Sequence, residues 1–78
     1  MAGLPILSAR QIIRALRQAG FVEAPDRGKG SHRAFCREEP SGKKRLVIVP
    51  GGKSIPRGTL MAILDQAGMD RDGFLRLL

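Results

Sequence analysis

His32 is the only imidazole in this chain of 78 residues, and it stands in the segment Gly30, Ser31, His32. An imidazole has an ordinary pKa of about 6.5, so it can both accept and donate protons near neutral pH. The preceding glycine permits a tight turn or a close approach to a ligand, and Ser31 adds a hydroxyl. These residue types predict general acid–base chemistry at His32. The alternative is a structural histidine that simply begins a strand.

The elements on either side of this segment begin with a helix. Ser8 and Gln11 have the spacing of a capping box, Leu7 and Ile12 that of a hydrophobic staple, and Gly20 suits a left-handed helix end. We therefore expect a helix from Ser8 to the Gly20 cap. Its polar face carries arginines, which fit a solvated surface or phosphate contacts: Arg10, Arg14 and Arg17.

Three short strands are predicted next, over residues 21–24, 32–37 and 43–49, with a basic glycine-containing loop over 26–30 and a turn-rich segment over 38–42. Alternation in the second strand puts His32, Ala34 and Cys36 on one side and Phe35 on the other. The pattern does not decide which side faces the core.

A second helix is predicted with Pro56 in its first turn and Gly68 as its left-handed end. Asp70 then suits the cap of a short last helix in which Phe74, Leu77 and Leu78 share a face. Asp70 and Asp72 could also suggest a metal site, but acidic residues at a helix start satisfy free amides. The predicted fold is therefore α+β, with the α-β-β-β-α order of a double-stranded-RNA-binding-like domain, a three-stranded antiparallel sheet and a short extra C-terminal helix.

Composition limits the possible functions. The length allows one domain, residues 1–78, and a net charge of +7 favours phosphate polyanions or an acidic partner protein. Cys36 is the only cysteine, so no intramolecular disulfide forms and a reducing cytoplasm fits best. The opening run 1–7 lacks the features of a signal peptide, and no apolar stretch approaches membrane-span length. We therefore expect a cytoplasmic protein without a membrane partner.

Several ordered pieces of the sequence resemble the HicA-type toxins of bacterial toxin–antitoxin pairs, from about Ser8 to Leu78. The pieces are residues 18–21 (Gln-Ala-Gly-Phe), 30–32 (Gly-Ser-His) with Phe35 after them, 47–50, Lys53, 55–60 and 63–68. The resemblance implies a ribosome-independent mRNA interferase with a double-stranded-RNA-binding-like fold. It also implies that His32 is catalytic and that a HicB-type antitoxin covers the site.

Metal-independent RNA cleavage needs a base for the 2′-hydroxyl and an acid for the leaving 5′ oxygen, and one imidazole can serve as either. The complementary role is left to Lys29, Lys53, Ser31, backbone amides or water. Glu38 and Glu39 are adjacent and would point to opposite faces, so we expect no metal or other cofactor. Contacts to RNA (mRNA) are predicted for these residues: Lys29, Gly30, Ser31, Arg33, Lys43, Lys44 and Lys53.

Two other functions fit the same residues. The chain could be a non-catalytic RNA-binding module of this fold, or a basic interaction protein whose surface serves only an acidic partner. With three Phe, no Trp and no Tyr, stacking platforms for bases are scarce, so loose sequence selectivity is expected. Cyclic-phosphate ends formed in the presence of a chelator would distinguish the enzyme from both alternatives.

Overall fold

Two main helices and a three-stranded antiparallel sheet follow one another in the predicted α+β order. The computed structural model describes residues 4–78, apart from the side chain of Asp26. The elements are α1 (Ala9–Gln18), β1 (Val22–Glu23), a 3-10 turn (Pro25–Arg27), β2 (Arg33–Glu38), β3 (Lys44–Val49), α2 (Arg57–Ala67) and α3 (Arg71–Leu75). The first three residues of the opening run, and of the predicted domain 1–78, lie outside the described residues.

The start of α1 is set by the predicted capping box. The Ser8 hydroxyl accepts a hydrogen bond from the Gln11 backbone at 3.1 Å, and the Gln11 side chain accepts one from the Ser8 backbone at 3.0 Å. Gly20 follows the helix with a φ of +93°, which confirms the left-handed end. Ile12 and Leu16 are fully buried, whereas Arg10, Arg14 and Arg17 are exposed. The helix therefore presents an arginine-rich face to solvent.

The sheet has the order β1-β2-β3, and its register decides which side of β2 faces the core. Phe35 is paired with Val47 and Arg33 with Val49, and Phe35, Val47 and Val49 are all buried in the main core. The Phe35 side of β2 therefore faces the helices, and the side with Ala34 and Cys36 faces away. Ala34 is nevertheless buried, because the 3-10 turn and Gly28 pack over it.

Some predicted boundaries are wrong at the ends of the strands. The first strand contains only Val22 and Glu23, because Phe21 turns into the core and Pro25 begins the 3-10 turn where a loop was expected. The second begins at Arg33, so His32 lies just before the strand and not in it. Backbone pairing, which the local pattern does not contain, sets these limits.

The two C-terminal helices close the core. Gly68 ends α2 with a φ of +68°, and the Asp70 carboxylate accepts a hydrogen bond from the Gly73 backbone at 2.7 Å, so both predicted caps are confirmed. Pro56 lies at the N-cap of α2 and not in its first turn. Phe74 is fully buried, but Leu78 is 48% exposed. Leu78 does not share the buried face because the helix ends at Leu75.

Candidate functional site

The segment Gly30, Ser31, His32 forms a tight turn that leads into β2. Gly30 has a φ of +61°, in the left-handed region that favours glycine, and the His32 backbone N–H donates to the Lys29 carbonyl at 3.0 Å. His32 is exposed, and its ring makes no hydrogen bond with the side chains or backbone that the structure describes. The imidazole is therefore accessible to a substrate and is not a buried core histidine.

Two glycines outside this segment hold its backbone from different sides. A Cβ on Gly28 would lie 2.7 Å from the His32 carbonyl oxygen, and a Cβ on Gly51 would lie 3.2 Å from the Ser31 carbonyl oxygen. Any side chain at Gly28 would force the backbone apart, and one at Gly51 would crowd it. The absence of side chains at these two positions therefore permits the backbone of the turn to pack closely against both neighbouring segments.

The segment after β3 brings Gly51 to that position. The Ala9 backbone N–H donates to the Gly52 carbonyl at 2.9 Å, and the Ile55 backbone N–H donates to the Leu7 carbonyl at 2.7 Å. These bonds tie the loop over residues 50–54 to the chain that enters α1. Lys53 lies exposed in this loop, two residues from the glycine that contacts Ser31.

Arg33, directly after His32, is held by an ion pair. Its guanidinium donates two hydrogen bonds to the Glu23 carboxylate, at 2.9 and 2.7 Å, and Arg17 approaches the same carboxylate at 3.4 Å. Arg17 and Arg33 each lie 5.5 Å from the centre of the buried Phe35 ring. The bidentate geometry gives Arg33 one defined orientation beside the turn.

This ion pair changes the acidity of its members. The hydrogen bond from Arg33 holds the pKa of Glu23 below its ordinary value, and the charges of Arg33 and Arg17 act in the same direction. The same hydrogen bond raises the pKa of Arg33. Because the carboxylate stays ionised, it keeps Arg33 in place across the neutral pH range.

The four predicted RNA-binding lysines do not lie together, because they stand at the two ends of the hairpin formed by β2 and β3. Lys29 and His32 belong to the same tight turn, and Lys53 is on the loop that contacts Ser31. Lys43 and Lys44 lie at the other end of the hairpin, because Lys44 pairs with Glu38 and Arg33 with Val49. Five residue steps along a strand separate the two ends by about 17 Å.

Two of the four acidic residues considered as metal ligands, Glu39 and Asp70, have other partners. Glu39 accepts a hydrogen bond from Arg45 at 2.7 Å, which lowers the pKa of its carboxyl, and Asp70 caps α3. Within residues 4–78, the Asp26 side chain aside, no three His, Cys, Asp or Glu lie close enough to share a metal ion. No helix in the same part of the chain is long and apolar enough to cross a membrane.

Three contributors to the site were missed by sequence reasoning: Glu23, which anchors Arg33, and the two glycines Gly28 and Gly51. Glu23 pairs with Phe35 in the register of β1 and β2, which places its carboxylate beside the start of β2. The register itself was the missing signal, because a two-residue strand is too short for its pairing to be derived from alternation.

Comparison with known proteins adds one finding to this geometry. A search of curated protein sequences finds no significant match. A family model described as the HicA toxin of bacterial toxin–antitoxin matches residues 9–69, which span α1, the whole sheet, the Gly-Ser-His turn and α2. The match covers more than three quarters of the chain and includes every element that positions His32. The chain therefore belongs to the HicA toxin family of bacterial toxin–antitoxin pairs.

Proposed function

We propose that this toxin is a metal-independent endoribonuclease that cleaves mRNA in the cytoplasm with His32 as general acid–base. The observation that carries the proposal is the exposed, unbonded imidazole on a turn whose backbone is confined by Gly28 and Gly51. A proton-transfer group has to be accessible to the substrate, and the exposed position of His32 supports the proposal in that respect.

In the proposed reaction, a base removes the proton of a ribose 2′-hydroxyl, and the resulting oxygen attacks the adjacent phosphorus. The bond from phosphorus to the 5′ oxygen breaks, and an acid protonates the departing oxygen. The products are a 2′,3′-cyclic phosphate and a free 5′-hydroxyl. The imidazole of His32 carries one of the two proton transfers, and its neighbours supply positive charge for the pentacoordinate phosphorus.

The charged neighbours of His32 divide into two groups by distance. Lys29, Arg33 and Lys53 lie at the His32 end of the hairpin, where their charges can stabilise the reacting phosphate. Lys43 and Lys44 lie at the far end, where they can contact phosphates further along the RNA. The first group should affect the rate, and the second only the affinity.

The test combines His32→Ala with a matched set of lysine variants. RNA incubated with the purified wild type in a chelator should give cyclic-phosphate ends, and His32→Ala should lose about 10²–10⁴ in rate while keeping its fold and most of its RNA affinity. Expression of the wild type, but not of His32→Ala, should arrest growth. Undiminished cleavage by the variant would refute the role of His32, and RNA binding without cleavage by the wild type would indicate a non-catalytic RNA-binding module.

The lysines provide the internal control. Lys29→Ala and Lys53→Ala should lower both cleavage rate and affinity, whereas Lys43→Ala and Lys44→Ala, with the same change of charge, should lower affinity alone. Each variant that loses a phosphate contact should reduce the slope of log affinity against log salt by about one. Unchanged slopes in all four variants would mean that these lysines are ordinary solvated residues.

We also propose that a HicB-type antitoxin, the cognate partner implied by the family, covers His32 directly. The positive charge around the turn should attract carboxylates with fast, salt-sensitive association, and burial of the imidazole would block both substrate entry and proton transfer. Hydrogen exchange of the complex should show protection over residues 29–33. Protection confined to the outer faces of the helices would contradict direct coverage.

A further inference from the structure

A cleft of about 340 Å³ opens beside the Gly-Ser-His turn, on the side that faces α1. Its floor is apolar and is formed by Ala9, Ile13, Val49 and Pro50. The volume is at the small end of the range for ligand pockets, and an apolar floor is the usual surface against which a flat heterocycle packs. The cleft is therefore of a size and character suited to one nucleobase.

The rim of this cleft is polar and positively charged. Arg10 comes from the solvent face of α1, and Ser31 and Arg33 come from either side of His32. A guanidinium has five N–H donors, and Arg33 uses two of them on Glu23, so three remain for another acceptor. An anionic group at the rim would thus meet two guanidinium groups and a hydroxyl.

Charge at the rim remains positive despite Glu23. Arg17 and Arg33 share this one carboxylate, so the three groups together carry one net positive charge. Arg10 adds a second, because it has no ion-pair partner among residues 4–78, the Asp26 side chain aside. Apolar floor and cationic rim together match a nucleotide, which combines a flat base with a phosphate.

We infer that this cleft binds one nucleotide of single-stranded RNA, with its base on the apolar floor and its phosphate against Arg10 and Arg33. The inference rests on the proposed function and deepens it, since Ser31 and Arg33, the residues directly before and after His32, both line the cleft. It also implies a base preference at one position of the substrate, in place of the loose selectivity expected from the small number of aromatic residues.

The test measures binding separately from cleavage. The probes are 2′-O-methylated hexanucleotides of A, C or U, which cannot be cleaved because the attacking hydroxyl is blocked. Arg10→Ala should weaken binding about tenfold, because a charge-assisted contact is lost. Arg14→Ala removes the same charge from the same helix face one turn further on, outside the cleft, and should change affinity little.

A second pair of variants fills space without changing charge. Ala9→Leu should occupy the floor, weaken binding about tenfold and abolish the difference among A, C and U. Ala62→Leu adds the same atoms to an exposed position of α2 and should bind as the wild type does. If the two variants of either pair bind the hexanucleotides with equal affinity, the proposal is overturned. RNA affinity then comes from the overall positive charge of the surface.

An NMR titration covers the case in which Ala9→Leu does not fold. Addition of adenosine or uridine 3′-monophosphate to the wild type should shift the amide signals of Arg10, Ser31 and Gly51, and unshifted signals would overturn the proposal. Cleavage of unmodified RNA by the wild type and by His32→Ala is measured in parallel. If the wild type cleaves RNA but the cleft variants bind the probes as it does, only the cleft proposal is rejected. If the cleft binds nucleotides but the wild type does not cleave RNA, only the enzymatic function is rejected.

Discussion

Replacement of Gly28 by alanine should displace the backbone of His32. The new Cβ would lie 2.7 Å from the His32 carbonyl oxygen, while the Gly28 backbone, at φ −88° and ψ 152°, already suits any residue. The cost therefore comes from crowding and not from backbone strain. Overpacking of this kind costs about 1–3 kcal/mol, and the lower entropy of the unfolded chain offsets about 0.4–1 kcal/mol of it.

A net loss of roughly 1–2 kcal/mol should lower the Tm of a domain of this size by roughly 5–15 °C. Relief of the contact requires the His32 backbone to move by about 0.5 Å, and since misplacement by about 1 Å can cost 10²-fold, RNA cleavage should fall about tenfold. Thermal denaturation followed by circular dichroism measures the first effect. Single-turnover cleavage, measured well below the lowered Tm, measures the second.

Two further glycines make the experiment a graded series. Gly51→Ala brings its Cβ to 3.2 Å from Ser31, so its effects should have the same sign and be smaller. Gly58→Ala, in the first turn of α2 with nothing within 4 Å, should raise stability by up to about 1 kcal/mol and leave cleavage unchanged. Wild-type stability and cleavage in Gly28→Ala would refute the argument that this close approach positions His32.

Further outcomes follow from the core, the first cap and the ion pair. Phe35→Ala should cost about 3–5 kcal/mol, because this ring is fully buried, and chemical denaturation should show either that loss or no folded protein at all. Ser8→Ala should cost about 1 kcal/mol by the same assay, through loss of the N-cap hydrogen bond, and an unchanged midpoint would contradict that role. Since the folded-state pKa of Glu23 is depressed, its contribution to stability is present above the unfolded pKa of about 4.3 and disappears as the pH falls through the lower folded value. Denaturation of Glu23→Gln from pH 6 to pH 2 should therefore show a smaller loss of stability than the wild type, and parallel curves would contradict the ion pair with Arg33.

Much of the fold was predictable because its signals are local. The capping box at Ser8, the left-handed glycines Gly20 and Gly68 and the Asp70 cap all involve hydrogen bonds or backbone angles within a few residues. The strands were predicted in the right number and order, and only their ends were wrong. The local sequence predicts the helix caps because the interacting groups are neighbours in the chain.

The candidate site was only partly predictable for the opposite reason. His32 was chosen as the candidate catalytic residue from its residue type and its surroundings in sequence, but the lysines grouped with it lie at two ends of a hairpin. Antiparallel pairing separates Lys44 from Arg33 by the full length of a strand. The distance between them depends on register, which no composition or charge count contains.

By itself, the sequence determined the α+β order, the helix caps at Ser8, Gly68 and Asp70, the positive charge and the resemblance that identified the family. Only the tertiary structure decided that the Phe35 side of β2 faces the helices, that Gly28 and Gly51 confine the turn, and that Glu23 orients Arg33. The physical reason is that capping and periodicity act between residues close in the chain. A site forms where pairing and packing bring distant segments within a few ångströms, and that convergence exists only in the folded molecule.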